Sequence, residues 1–228
     1  MKEDQVIQSL LNKQVDGVIY MSNRLSDAAA DAFKRTDTPV VLAGTKDNRD
    51  DFASVTIDYK KADTEALNLM YHDGKKHLGI VVGDQDAVVN SENRIPAYEE
   101  FMEENDLGTP RIYTDIKDYS DGYNLYPQLV KDGVDGVIVT RDISSVGILN
   151  SAMDAGKKVP EDLEIVTASA TQLASVVRPA LTTIKQPLYD MGAVAMRMLT
   201  KLMNNEEVDD THIVLPYELV KKQSTLNQ

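Results

Sequence analysis

The sequence predicts an α/β protein built from parallel sheets flanked by helices. Two observations carry this prediction: short apolar strands alternate with amphipathic helices along the chain, and one βα unit recurs. The stretch KQVDGVI at 13–19 returns as KDGVDGVI at 131–138, and each copy combines a helix end, an Asp-Gly turn and a buried strand. Repeated use of one unit favours two similar lobes. Coincidence is the alternative, because short segments of this kind are common.

The individual elements follow from apolar periodicity and from breaks at Gly, Pro and Asp. A first helix at 3–13 has one apolar face, and a buried strand follows at 15–21. Ser26 suits the N-cap of the next helix, 26–35. An extended run at 211–221 closes the chain. The remaining strands are predicted at 39–43, 54–58, 77–83, 111–114, 135–140, 163–168 and 181–184, and the remaining helices at 60–72, 91–105, 120–131 and 144–155.

The most strongly patterned helix follows the Gln-Pro break at Pro187, a residue that suits a first helical turn because its missing N–H costs nothing there. Apolar residues at helical spacing predict its buried face: Leu188, Met191, Ala195, Met198, Leu199 and Leu202. The other side presents one stripe in which a small residue separates an acid from two bases: Asp190, Ala193, Arg197 and Lys201. Such a stripe is either a solvated face or a surface that meets a partner.

Composition narrows the functional class. The 228 residues are 42% hydrophobic, which is ordinary for a globular protein of one large domain or two small lobes. The absence of Cys excludes disulfides, thiol catalysis and Cys-based zinc sites. No apolar run has the length of a membrane span or a signal-peptide core, so a cytoplasmic location is the simplest expectation. The net charge of −13, without a basic cluster, predicts that nucleic acid would be bound only through another, basic module.

No enzymatic motif is present. GxGxxG, GxxxxGK[ST], GxSxG and HExxH are all missing, and His72, His77 and His212 are far apart in sequence. The acidic pair in GDQD, Asp84 and Asp86, is more typical of a polar loop than of an acid–base site. Ligands of open α/β sheets bind beyond the carboxyl ends of the strands. The residues at those ends suit binding and include no nucleophile–base pair, so the sequence predicts a protein that is not an enzyme.

Several segments carry a resemblance to a known family: VDGVIYM, PVVLAGT, ASVTIDY, RIPAY at 94–98, VPEDLEIV, and RPALTTIKQPLYDMGAVAMRMLTKLMN. Over essentially its whole length the chain resembles the effector-binding core of the LacI/GalR family of transcriptional repressors. The stretch 186–201 is similar to the catabolite-control branch of that family. The resemblance implies a homodimer with a two-lobed, periplasmic-binding-protein-like fold. The N-terminal lobe would contain 1–57 plus 184–207, and the C-terminal lobe 58–183 plus 208–228.

The resemblance also implies binding partners. In the catabolite-control branch the co-repressor is the serine-phosphorylated phosphocarrier protein HPr, assisted by fructose 1,6-bisphosphate or glucose 6-phosphate. The matching partner-binding residues, with Arg197 as the phosphate-binding base, are Tyr189, Asp190, Ala193, Val194, Arg197 and Lys201. The matching effector-binding residues are Arg94, Asp142, Ser169 and Thr45. Arg94 has a second interpretation, as one half of a structural ion pair.

Two departures from the family pattern modify these expectations. The helix-turn-helix headpiece, the hinge helix and the opening βαβ segment of family members have no counterpart here. We therefore expect an N-terminally truncated chain with an incomplete N-terminal lobe, an open edge on strand 15–21 and no operator binding of its own. In addition, residues 167–170 read TASA where family members often read GFDN, which argues against a simple sugar-inducer pocket. The alternatives are a sugar-binding protein without a transcriptional role and, less favoured, a small α/β hydrolase.

Overall fold

The computed structural model describes residues 3–22, 24–47 and 49–226. The chain divides into two compact units, each assembled from two separated stretches. The first unit combines Met1–Ile57 with Pro187–Pro216, and the second combines Asp58–Gln186 with Tyr217–Gln228.

Strands and helices alternate along most of the chain, as predicted. The helices are α1 (Glu3–Asn12), α2 (Asp27–Thr36), α3 (Tyr59–His72), α4 (Ile95–Glu104), α5 (Tyr119–Lys131), α6 (Asp142–Asp154), α7 (Leu173–Val176) and α8 (Leu188–Met203). The strands are β1 (Val18–Tyr20), β2 (Val40–Ala43), β3 (Ala53–Ile57), β4 (Leu78–Val81), β5 (Ile112–Tyr113), β6 (Gly136–Val139), β7 (Glu164–Thr167), β8 (Thr182–Lys185), β9 (His212–Leu215) and β10 (Glu218–Val220).

The sheet of the first unit has four parallel strands in the order β1-β2-β3-β9, so β1 lies at one edge. Helices α1 and α2 cover one face, where Ile7 and Phe33 pack against Leu42 of β2. Helix α8 packs against β1, β2 and β3. A Cβ atom at Gly17 would lie 2.8 Å from Leu199 Cδ1, so the glycine just before β1 lets α8 approach closely.

The sheet of the second unit has six strands in the order β10-β8-β7-β6-β4-β5, and all neighbours are parallel except β10 and β8. Helices α3 and α4 contribute to the apolar cluster on one face, and α5, α6 and α7 to the cluster on the other. Strand residues alternate between the two clusters, as Ile138 and Val139 do, because successive side chains point to opposite faces. This doubly covered parallel sheet confirms the predicted fold class.

The end of the chain differs from the prediction. The extended run predicted at 211–221 is two strands, and they belong to different units: β9 pairs with β3, whereas β10 pairs with β8. Pro216 lies between them and has no N–H to continue a ladder. The lobe boundaries predicted from the resemblance, 184–207 and 208–228, are therefore displaced. Residues 208–216 lie in the first unit, and 184–186 stay with β8 in the second.

Two helical features also differ from the sequence-based prediction. The helix predicted at 91–105 begins with a π-helical turn, Asn90–Arg94, before α4 starts. The four-residue α7 was not predicted, because so short a helix has no apolar period to read.

Candidate functional site

Helix α8 of the first unit carries the predicted partner-binding residues. Four of its predicted inward residues are buried: Met191, Ala195, Met198 and Leu199. Leu202 is half-buried, and the prediction was wrong for Leu188, whose exposed fraction is 57%. Leu188 is the first residue of the helix, one turn before the first buried contact at Met191.

The opposite side of α8 forms a continuous exposed stripe, because residues three and four apart share one helix face. Tyr189 is 87% exposed, and Asp190, Ala193 and Arg197 are exposed as well. Val194 and Lys201 are half-buried and border the stripe. Lys201 Nζ donates a hydrogen bond to Glu207 O at 3.3 Å. We call the set Tyr189, Asp190, Ala193, Val194, Arg197 and Lys201 the α8 stripe.

The charged groups at the centre of the α8 stripe point away from the other described side chains of the chain. Among the residues that the structure describes, no hydrogen bond or ion pair engages the side chain of Asp190 or Arg197. The Arg197 guanidinium therefore retains its full set of N–H donors for an external acceptor. Met196, 46% exposed, adds an apolar side chain beside Arg197 that the sequence pattern did not single out.

Arg94, predicted to contact effector, is held in a buried ion pair in the second unit. Its Nη1 lies 2.5 Å from Asp63 Oδ1, and the exposed fractions of the two side chains are 4% and 0%. The guanidinium also lies over the Tyr59 ring, 5.1 Å from its centroid. Burial raises the pKa of the Asp63 carboxyl, and the nearby Arg94 charge partly offsets that increase.

The Tyr59 hydroxyl extends this cluster toward the end of β7. It donates to Gln186 Oε1 at 3.3 Å, and Gln186 Nε2 donates to the Ala168 carbonyl at 3.0 Å. Burial raises the pKa of the Tyr59 hydroxyl, so it stays a donor at neutral pH. Sequence reasoning missed Asp63, Tyr59 and Gln186, because the bonded residues are far apart in sequence. Asp63 and Arg94 are 31 residues apart, and Tyr59 and Gln186 are 127 residues apart.

Asp142 and Ser169, the other predicted effector residues of the second unit, are bonded within the protein. Asp142 is 2% exposed, and its carboxylate accepts 2.5 Å hydrogen bonds from Thr167 Oγ1 and from the backbone N–H of Thr171. Ser169 Oγ donates to Thr140 O at 2.8 Å. These bonds fix the TASA turn at 167–170 against the start of α6.

Thr45 belongs to the first unit, where it follows β2. It is 2% exposed, and its hydroxyl donates a long 3.4 Å hydrogen bond to Lys46 O. The four predicted effector residues are thus divided between the two units, with Thr45 in one and Arg94, Asp142 and Ser169 in the other.

Features that would support hydrolysis do not assemble into a site. His212 contacts Ser54 Oγ through Nδ1 at 3.0 Å and Asp50 Oδ1 through Nε2 at 3.3 Å, but Ser54 is only 2% exposed and its contact ties β3 to β9. Asp84 accepts the Asp86 N–H at 3.1 Å, as a polar loop would. Over residues 3–22, 24–47 and 49–226, no three metal-binding side chains form a group. Within those residues, too, every helix is too short or too polar to cross a membrane.

Comparison with known proteins identifies the relatives of this chain. Residues 67–225 match the family model described as a periplasmic binding protein-like domain. The HTH-type transcriptional regulator pepR1 of Lactobacillus delbrueckii subsp. lactis is 71% identical over 228 residues, which cover all of this chain and 68% of pepR1.

Two solved structures extend the comparison. The transcription regulator CcpA of Lactococcus lactis superposes with a TM-score of 0.91 at 36% identity, covering 98% of this chain and 83% of that one. The LacI family regulator CCPA of Weissella paramesenteroides, solved with bound sucrose, superposes with a TM-score of 0.84 at 27% identity, covering 99% and 83%. All three relatives are named as transcriptional regulators, in agreement with the predicted class of protein.

Proposed function

We propose, from the premise that this chain belongs to the LacI family of transcriptional regulators and spans its effector-binding core, that it acts in carbon catabolite repression. In this proposal it binds serine-phosphorylated HPr as co-repressor through the α8 stripe, with a sugar phosphate as co-effector. The chain works in the cytoplasm as a homodimer. With a net charge of −13 it does not hold operator DNA itself, and DNA is bound through a separate basic module.

The observation that carries the proposal is Arg197 on an exposed helix face, where no side chain of the described residues bonds to it. A phosphoserine carries a charge of about −1.5 to −2 at pH 7 and three strong acceptor oxygens. A guanidinium binds such a group through two parallel, charge-assisted hydrogen bonds. In a chain with 37 acidic and 24 basic side chains, a base that no acid neutralises is available to an anionic partner.

The surroundings of Arg197 suit a protein partner better than a free anion. Tyr189 and Met196 offer exposed apolar area on the same helix, and large apolar or aromatic side chains carry much of the binding energy of protein interfaces. Ala193, one turn before Arg197, leaves room for close approach. The alternative interpretation, a solvated helix face, predicts no phosphate-dependent partner at all.

The proposal is tested by calorimetric titration of this chain with HPr in its serine-phosphorylated and unphosphorylated forms. We expect tighter binding of the phosphorylated form. Arg197→Ala should weaken that binding by about 1.5–3 kcal/mol, the scale of a hydrogen bond to a charged group. Arg35→Ala is the matched control, because Arg35 is an exposed arginine on α2 of the same unit. Equal affinities for the two forms, or equal losses in the two variants, would contradict the proposal.

The co-effector is the less direct part of the proposal. The Weissella relative was solved with sucrose, which supports small carbohydrate ligands in this group of proteins. In this chain Arg94 and Asp142 are already bonded to Asp63 and Thr167, and the TASA turn has no acidic side chain to accept sugar hydroxyls. We therefore propose a phosphorylated sugar, which can be held through its phosphate, rather than a neutral sugar.

Calorimetric titrations with fructose 1,6-bisphosphate, glucose 6-phosphate and sucrose distinguish these ligands. Binding of either phosphate ester without sucrose binding supports the proposal. Binding of sucrose alone would favour the alternative of a simple sugar-binding protein, particularly if phosphorylated HPr does not bind.

A further inference from the structure

The methionines are the only sulfur-containing side chains of this chain, which has nine of them and no Cys. Any reversible oxidation of sulfur in the protein is therefore oxidation of a thioether. Among the described residues the methionines fall into buried and exposed groups. Met70, Met102, Met191 and Met198 are no more than 4% exposed, Met203 is half-buried, and the exposed fractions of Met21, Met153 and Met196 are 67%, 48% and 46%.

Met196 is the exposed one of these methionines that lies on α8, and the helix leaves its thioether open to solvent. A helical side chain leans toward the residues three and four positions before it, which for Met196 are Ala193 and Gly192. Neither neighbour is bulky enough to shield the sulfur, and a Cβ atom at Gly192 would meet nothing within 4 Å. By contrast, Met191 and Met198 lie on the buried side of the same helix.

Met196 also shares the exposed face of α8 with residues that the proposed function assigns to partner binding. It lies three residues after Ala193 and seven after Tyr189, so the three side chains follow one side of the helix. Arg197, the proposed phosphate-binding base, is the next residue along the chain. A partner that contacts Tyr189 and Ala193 therefore passes over the Met196 thioether as well.

We propose that Met196 is a redox-sensitive element of this surface, and that its oxidation to the sulfoxide weakens docking of the phosphorylated partner. This inference rests on the proposed function of the α8 stripe. The oxidant is a peroxide: an S–O bond forms, the O–O bond breaks, and water leaves when the peroxide is H₂O₂. Sulfur loses two electrons and the peroxide gains them. The product is a polar side chain at a place where apolar contact contributes to binding.

The modification is reversible, which separates a switch from damage to the protein. Methionine sulfoxide reductases remove the oxygen as water and oxidise a dithiol to a disulfide. The dithiol comes from outside this chain, since the chain has no Cys. Oxidation of the buried Met191 or Met198 would instead place a polar group in the packed interior and destabilise the first unit.

The first measurement is a comparison of oxidation rates by peptide mass spectrometry. Hydrogen peroxide is added to the free chain and to the chain saturated with serine-phosphorylated HPr. We expect Met196 and Met153 to be oxidised faster than Met191 and Met198. Bound HPr should slow the oxidation of Met196 and leave that of Met153, on α6 of the second unit, unchanged.

The second measurement is the affinity of the oxidised chain, titrated calorimetrically with phosphorylated HPr after the peroxide has been removed. Oxidation should weaken binding about five- to thirtyfold, the range expected when an interface side chain is lost. Treatment with a methionine sulfoxide reductase and dithiothreitol should restore the affinity. The midpoint of unfolding, measured on the same samples, should not change, because the buried methionines remain reduced.

Met196→Leu is the matched variant, because leucine has a similar volume and no sulfur. Whatever its own affinity, the values before and after peroxide treatment should be equal. Met153→Leu should show the same loss on oxidation as wild type. The inference is overturned if Met196 is oxidised no faster than Met191, if bound HPr does not protect it, or if the sulfoxide at 196 leaves the affinity unchanged. Failure of the reduced wild type to bind phosphorylated HPr would contradict the proposed function and this inference together.

Discussion

The resemblance predicts binding residues both on the α8 stripe and in the second unit, yet the side chains in these two places are in opposite states. On α8 the charges of Asp190 and Arg197 face solvent, and no group in the described part of the chain bonds to them. In the second unit Arg94 and Asp142 are buried and bonded to other residues of the chain. A match to the family in sequence therefore does not show that a side chain is available to bind another molecule. Burial and internal bonding decide which polar groups are available to a partner.

The largest change in stability is expected for a substitution of Arg94. Arg94→Ala should destabilise the second unit by about 3–5 kcal/mol, because it leaves the Asp63 charge buried without its partner. Denaturant unfolding measures this loss. The matched control is Lys60→Ala, since the Lys60–Glu100 pair has the same 2.5 Å separation but side chains more than 50% exposed. That variant should lose no more than about 1 kcal/mol. Similar losses in both variants would mean that Arg94 is not a structural residue.

A smaller loss of stability is expected at Asp142. Asp142→Ala leaves the Thr167 hydroxyl and the Thr171 N–H without their acceptor, which should cost about 1.5–3 kcal/mol in denaturant unfolding. Asp86→Ala, in an exposed loop, should change stability by no more than about 0.5 kcal/mol. If Asp142→Ala were as stable as wild type but lost affinity for a sugar phosphate, Asp142 would be an effector ligand after all.

The pH dependence of stability provides a third test. The pKa of Glu164 is raised to about 8 in the folded chain, so between its ordinary range and pH 8 the folded state binds a proton that the unfolded state has released. The corresponding stability is complete at acidic pH and is lost as pH rises toward 8, by at most about 1.4 kcal/mol per pH unit. Urea unfolding at pH 5.5, 7 and 8.5 should show this slope in wild type and a flatter one in Glu164→Gln. Parallel slopes would show that Glu164 does not bind this extra proton in the folded chain.

The smallest change in stability is expected for a substitution on α8. Gly192 is exposed in the middle of α8, and a Cβ atom there would meet nothing within 4 Å. Gly192→Ala should therefore stabilise the first unit by about 0.5–1 kcal/mol through helix propensity alone. Thermal unfolding measures this gain. A loss of stability would show that this face of α8 is covered and would weaken its interpretation as a free surface.

Much of the fold was predictable, because it is encoded in local periodicity. The βα alternation, the Ser26 cap and the buried residues Met191 and Ala195 follow from spacing along a single element. The division of 211–221 between two sheets could not be predicted, because strand pairing depends on residues far away in sequence. Only the pairing of β9 with β3 shows that this segment belongs to the first unit.

The same limit applies to the candidate sites. The exposure of Arg197 follows from the helical period, so the α8 stripe could be read from the sequence. The burial and ion pairing of Arg94 could not be predicted from the sequence, since Asp63 is 31 residues away and its carboxylate is one of many in an acidic chain. The hydrogen bond from Leu226 N to Glu164 Oε1 likewise joins residues 62 positions apart in sequence. Long-range polar bonds have no sequence period, and for that reason they appear only in the structure.

The central claim is that a free guanidinium on α8 binds a phosphorylated partner, and the most direct measurement is the dissociation constant of serine-phosphorylated HPr for wild type and Arg197→Ala. We expect a loss of at least about tenfold in the variant, the equivalent of about 1.4 kcal/mol, with unfolding stability and the Arg35→Ala control unchanged. Equal affinity of wild type and Arg197→Ala for phosphorylated HPr would contradict it.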